Sequence, residues 1–468
     1  MNELIMDKNS LWSLRLGFSN KEAATLKKVG LAGFLAASFN SEIDTALPPF
    51  LENSPKTIKE FKAYRKRINQ AGTAEKKKKL KRKVQNTGEL KLWLIDKIKK
   101  GNNPLRDKMV CFWHNHFVST GQKVKINYWL YQHHQTLQKH AFGNFKTLTK
   151  AIVKSNAMVR YLDNNNNKKG NINENLSREL LELFTLGIGN YTENDIKNGA
   201  KALAGLGYGD ETARYRKKLE VNEQITYLGK TGYFKADDLI DIIFEQKNIP
   251  YLITKKILQW FVYDLPTEQL VTYYGNYFRK VHFEIKPLLI KIFTEEYHKD
   301  IRGTKIKDPL VFAMQLLYEL DLERIDSKSI AYFLKQQGMD LFDQPNVKGW
   351  DGGTSWLTSQ TYLQRNQVAD LLCSGKAIKR KKKKMATGKM QGKEKPILPT
   401  IKIQHTADDA KKVIAALGNR LLFEMNDTVY EDMMSVVNYD FDPKRKNASL
   451  AILRLFNYIV KTPEFQLV

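Results

Sequence analysis

The chain is predicted to be all-α, that is predominantly α-helical, with one small β-hairpin insertion. Three observations predict this. Apolar residues recur at spacings of three and four through most of the sequence, the mark of amphipathic helices. Many of these segments open on Asn, Asp, Ser or Thr, several have proline at the first position, and several close on glycine. Alternation of apolar and polar residues is confined to one stretch, 213–228. A length of 468 residues with 42% hydrophobic content suffices for a large core, in one elaborated domain or in two to three units. Two cysteines, Cys111 and Cys373, exclude a disulfide framework and a cysteine-rich zinc module.

Taken in order, 1–75 is an N-terminal helical segment. Two short amphipathic helices fill Leu11 to Phe39, with Ser19 as a cap and Gly30 as a stop; a proline-rich irregular stretch and a helix over 57–69 follow. Residues 76–87 read as a basic linker, and 88–375 as the main helical body. Asn103-Pro104 opens a helix carrying Leu105, Met109, Phe112, Trp113 and His116 on one stripe. His114 and His116 lie about 200° apart on such a helix, so one metal ion does not easily take both. His116 turns inward with the aromatic stripe; the competing reading is a hydrogen-bonded core histidine. His133, His134 and His140 add no recognised ligand spacing.

Asp163 to Glu174 places Asp163, Asn165, Asn167 and Glu174 at the first, third, fifth and last positions of a calcium loop, but Lys168 stands where the turn needs glycine. An asparagine-rich turn capping the next helix is the better reading. That helix, Asn171 to Gly187, has Leu176, Leu180, Leu181, Leu183 and Phe184 on one side and Glu174, Arg178, Glu179 and Glu182 on the other. Thr192 with Asp195 opens the next helix as an acidic capping box. In the hairpin region, Tyr215 to Val221 is expected to run against Ile225 to Leu228. Leu228-Gly-Lys-Thr-Gly232 resembles half a phosphate loop but lacks the glycine spacing, and reads as a turn. Helices then dominate 236–337. The loop 341–356 holds Asn346, Gly349 and Trp350, where glycine admits close backbone approach and an indole can stack on a ligand. A tight turn pinned by buried indoles competes with that reading. Residues 376–399 form a basic insertion expected to be disordered, and 400–468 return to helix.

The net charge of +27 is concentrated. Lys76 to Lys83 hold seven bases, among them Lys76, Lys77, Lys78 and Lys79; Lys376 to Lys384 hold seven more, among them Lys381, Lys382, Lys383 and Lys384. Such blocks grip polyanions without sequence preference, nucleic acid included, or remain solvated loops. The N-terminus lacks a basic start with an apolar run, and no stretch of about 18 apolar residues occurs, so the expectation is a cytoplasmic protein with no membrane span.

Several blocks together resemble a known family. Tyr-Leu-Asp at 161–163, Asn-Glu-Asn-Leu-Ser-Arg-Glu-Leu-Leu-Glu-Leu-Phe-Thr-Leu-Gly at 173–187 and Tyr-Thr-Glu-Asn-Asp-Ile at 191–196 resemble the signature of the bacterial "domain of unknown function 1800" family. Phe-Trp-His-Asn-His-Phe at 112–117 and Gln-Pro-Asn-Val-Lys-Gly-Trp at 344–350 are similar to two further blocks, in matching order. The chain departs from the pattern at Gly205-Leu206-Gly207, where the family usually continues from an aromatic Gly-Trp toward a His-Asp pair. The resemblance implies no established reaction. It implies a neighbouring partner with a phosphatase- or sulfatase-like fold, and the family also includes exported members.

Two functions follow as expectations. In the first, His116, the Glu174–Glu182 face and the Gly-Trp loop share a cleft, where a histidine and two carboxylates bind a divalent metal and activate water, or a ligand docks. Glu179 and Arg178 orienting one another in an ion network is the structural counterpart. In the second, the protein is a non-enzymatic helical scaffold whose basic loops bind nucleic acid or another polyanion.

Overall fold

The helix Pro104–His116 is buried all round: only Pro104 and Asn115 among its residues keep appreciable exposure. A helix with no solvent face must sit inside the fold, and its polar side chains must find partners there. They find the ends of other helices. Lys108 Nζ donates to Leu14 O at 2.6 Å and Gly17 O at 2.8 Å, finishing the helix Lys8–Leu16. Arg106 donates to Phe39 O at 3.3 Å and Gln138 O at 3.2 Å, the ends of Ala23–Phe39 and Asn127–Lys139. The last carbonyls of a helix have no partner within it, so a buried cation is a suitable stop. Asp107, with Lys97 at 3.5 Å, supplies a countercharge.

The computed structural model describes residues 6–52, 54–70, 72–322, 325–376, 409–439, 441–445 and 448–468; within the helix Thr73–Lys100 it describes no side chain from 76 to 86. The fold is predominantly helical, as expected. Gly30 (φ 70°, ψ 171°) kinks Ala23–Phe39 at the point where the sequence ends one helix. The basic run Lys76 to Lys83 is a correction to the sequence reading: its backbone is helical, within Thr73–Lys100. Propensity explains this, since lysine is a good helix former and Gly101 (φ 64°) provides the stop only at the far end. From 377 onward the second run, Lys381 to Lys384 included, lies outside the described residues.

The β content is two antiparallel pairs, Leu206–Gly207 with Arg214–Tyr215 and Ile225–Tyr227 with Lys230–Gly232. The expected hairpin therefore pairs differently. Lys217–Leu219 turns as a 3-10 segment, and Ile225–Tyr227 folds onto the strand that follows it. Leu228 (φ 48°) and Gly229 (φ 84°) make the two-residue turn, so Leu228-Gly-Lys-Thr-Gly232 is a hairpin tip. Thr192 and Asp195 form the predicted capping box, and Asp195 Oδ1 also takes Leu228 N at 2.7 Å, pinning that tip to the helix Glu193–Leu203. Among the described residues no helix is long and apolar enough to cross a membrane.

Candidate functional site, a polar cleft between three separated segments

The asparagine-rich turn is built as a cap. Asn164 Nδ2 donates to Leu203 O and Leu206 O, and Asn167 Nδ2 to Ala200 O at 2.8 Å; Asn167 Oδ1 accepts from Asn173 N. These amides face backbone, which leaves them unavailable as calcium ligands. Asn173 Oδ1 accepts from Asn175 N and starts the helix Asn175–Glu179, as the asparagines predicted. The helix does not continue as α to Gly187. Leu180–Thr185 is a π-helix, closed by Leu186 N and Gly187 N, which both donate to Leu181 O. The wider turn leaves later carbonyls without partners. Lys256 Nζ reaches Leu183 O at 3.2 Å and His116 Nε2 reaches Phe184 O at 3.1 Å. Lys256 Nζ also stands 3.3 Å from His116 Nδ1. The carbonyl accepts, so Nε2 carries the proton and Nδ1 receives from the ammonium. Burial and Lys256 hold His116 well below the ordinary imidazole range, and burial lowers Lys256 to about 8.

This geometry redirects the metal reading of His116. The imidazole sits against Phe112, Phe117 and Phe184, and its polar partners are a backbone carbonyl and an ammonium. An ammonium at Nδ1 competes with any cation. Among the described residues, no group of three or more His, Cys, Asp or Glu is placed to hold a metal ion. His114 points the other way, as its helical position required. Its Nε2 lies 3.0 Å from His134 Nδ1, with the His133 ring tilted against it at 5.7 Å, all three rings buried. Sequence reading missed this cluster because His114 and His134 meet only through the packing of two helices.

The acidic face divides into separate partners. Arg178 holds Glu174 at 3.0 Å and Glu193 of the following helix at 3.0 Å. Glu182 accepts from Tyr191 Oη at 3.0 Å. Glu179 is half-buried, and burial together with Glu182 raises its pKa, opposed by Arg178 and Lys348. Tyr161 feels Glu179 in turn: burial and that carboxylate push its phenol up to about 12. Lys348 of the Gly-Trp loop therefore acts on Glu179 of the signature helix through its charge.

Trp350 is buried, at 5% exposure, so its indole is a packing element. Asn115 Oδ1 accepts from Trp350 N at 2.6 Å, and Gln344 Nε2 donates to His114 O at 2.9 Å. Gly349 (φ 92°) lies so close to this seam that an added Cβ would fall 2.3 Å from Asn115 Oδ1. Asn346 Oδ1 accepts from Lys348 N at 2.8 Å, setting the turn. Gly349→Ala is expected to destabilise the protein by about 2 kcal/mol or more, through strain and loss of the Asn115 contact. Thermal unfolding of the purified variant checks this; an unshifted midpoint would mean the seam yields freely.

Where these blocks meet the surface, a cleft of about 590 Å³ opens. It is lined by Thr120, Gln122, Lys123 and Lys125 after the aromatic helix, by Arg160, Tyr161, Asp163 and Asn166, and by Asp343, Gln344 and Pro345. Lys123 pairs with Asp163 at 3.3 Å and lies over the Tyr161 ring at 5.3 Å. Asp343 pairs with Lys91 at 2.8 Å and accepts from Gln122 N. Arg160 Nη1 donates to Tyr208 Oη at 3.2 Å. Lys125 (φ 59°) and Asp163 (φ 56°) both line the cleft in left-handed backbone, as does Phe342 (φ 58°) beside it. Non-glycine residues enter that region at a cost and cluster where function holds them. His116, the Glu174–Glu182 face and Asn346, Gly349 and Trp350, singled out from the sequence, do not line this cleft, and Lys123, Lys125 and Arg160 were hidden behind the longer lysine runs.

Neither a curated protein nor a solved structure matches the chain. The family model described as "Protein of unknown function (DUF1800)" matches residues 10–467. With that span covering nearly the whole sequence, the chain belongs to this family.

Proposed function

We propose that the protein is a ligand-binding protein whose polar cleft takes a small hydrophilic molecule bearing an anionic group. The observation that carries this is the charge balance at the lining: Asp163 is matched by Lys123, and Asp343 by Lys91, whose other partner Asp340 also pairs with Lys335, leaving Lys125 and Arg160 as the positive surplus. Cations spaced around hydroxyl and amide side chains suit a carboxylate, phosphate or sulfate on a polar body. Tyr161, with its phenol neutral, and Pro345 offer the few apolar edges.

The test is calorimetric titration with inorganic phosphate, inorganic sulfate and glucuronate. At least one is expected to bind, with Lys125→Asn plus Arg160→Gln weakening it by about tenfold or more. Asparagine is chosen because it tolerates the left-handed backbone of Lys125. Absence of heat with all three anions, or equal binding by the double variant, would overturn the reading.

A further inference from the structure

A second cleft, sharing no lining residue with the first, opens between the turn after Lys8–Leu16, the end of Thr73–Lys100 and the helix Pro309–Glu319. Its volume is about 660 Å³. The floor is apolar: Phe18, Ile98, Met314, Leu317 and Leu322 line it, each at 4–7% exposure. Three lysines stand around the same cleft, Lys21, Lys99 and Lys100. Two are held in place by one bond each, Lys21 Nζ to Lys100 O at 2.8 Å and Lys99 Nζ to Ile325 O at 2.8 Å. An ammonium has three donors, so each retains capacity for a further acceptor.

Among the described lining residues the three lysines outnumber the two carboxylates, Asp96 and Glu22. Asp96 already accepts from Ser327 Oγ and lies 3.7 Å from Lys99. Glu22 is half-buried, and burial raises its pKa against the pull of Lys21. Gly101 (φ 64°) keeps the approach open, since a Cβ there would stand 3.0 Å from Lys21 Nζ.

We propose that this second cleft binds a monomeric amphipathic anion, its alkyl chain on the apolar floor and its carboxylate or sulfate among the three lysines. A cavity of this size accommodates a medium-chain acyl group, and burying methylenes there is favourable without any polar group left unpaired. The occupant is a single amphiphile, because the floor is a recess of five side chains with its charges at the rim.

Dodecanoate, dodecylammonium and dodecanol, titrated into the full-length protein below their micelle concentrations, separate the contributions of chain and charge. Dodecanoate is expected to bind with one-to-one stoichiometry, and dodecylammonium about tenfold more weakly or worse. Lys100→Glu changes an exposed side chain, and is expected to weaken dodecanoate about tenfold while leaving dodecanol unchanged. Met314→Trp, which fills the floor at a residue tolerant of repacking, is expected to abolish binding of both. The proposal fails if dodecanoate gives no saturable heat, if the ammonium binds as well as the carboxylate, or if both variants bind dodecanoate like the parent.

Discussion

Replacing Arg15 by methionine is expected to cost about 3–5 kcal/mol of stability, the range for breaking a buried charged network. Arg15 is 1% exposed and donates to Val262 O at 2.6 Å, Ile301 O at 3.0 Å, Thr304 Oγ1 at 3.0 Å and Val468 O at 2.6 Å. These acceptors come from the end of Ile249–Phe261, from the turn after residue 300, and from the last residues of the sequence. Methionine fills much of the volume but donates nothing, leaving Val262 O and Ile301 O to Thr304 and Val468 O to Lys305 N. Arg15→Lys should recover only part of the loss, since one ammonium cannot span acceptors that a planar fork reaches together. Urea unfolding measures both; a midpoint unchanged in Arg15→Met would show that those remaining donors suffice.

Acidification from pH 7 toward 4 is expected to unfold the protein steeply. His114, His116 and His134 are held well below their ordinary value, and His133 is lowered to about 4, chiefly because all four are buried. In the unfolded chain each titrates near 6.5. Between those values the unfolded state binds more protons, so stability is fully present above about pH 6.5 and is lost as the pH falls. His133 alone contributes about 3 kcal/mol across its window. Asp107 acts in the opposite sense. Burial raises it to about 6, so the folded state takes its proton first and gains stability as the pH drops toward the ordinary carboxyl range. Asp107 should therefore make the net slope shallower than the four histidines alone would give. Guanidinium unfolding at pH 7, 6 and 5 tests this, with His114→Leu expected to flatten the dependence. A stability independent of pH over that interval would show that the histidines are charged or hydrated in the native state.

Much of the fold was legible where a signal and its effect lie close together in the chain. Gly187 and Gly101 end helices in left-handed backbone, Pro104 opens one, and Thr192 caps Asp195 N three residues away. The hairpin was legible as a change of period, but its register was not, because Ile225–Tyr227 could pair with either flank and Leu228-Gly229 decided the matter. Contacts between distant residues were not legible. Nothing near His116 announces Lys256, and nothing near Trp350 announces that Asn115 will cover its amide. The π-helix was hidden for the same reason: Leu180–Thr185 has the composition of an α-helix, and its extra width is accommodated by Lys256 and His116 at the orphaned carbonyls. Of the candidate cleft, the sequence disclosed the words Tyr-Leu-Asp and Gln-Pro but not their meeting. Lys125 and Arg160, single charges between apolar neighbours, carried no pattern.

The cations that close neighbouring helices have a consequence for how this architecture can change. Arg106 terminates two helices, Lys108 another, and Lys256 with His116 a fourth. The length of each helix is thus a joint property of its own stop residues and of remote segments. Inserting one residue ahead of Arg106 would rotate its guanidinium away from Phe39 O and Gln138 O together, fraying two termini that the insertion never touched. Such a chain tolerates novelty in its loops far more readily than any slippage along its innermost rod.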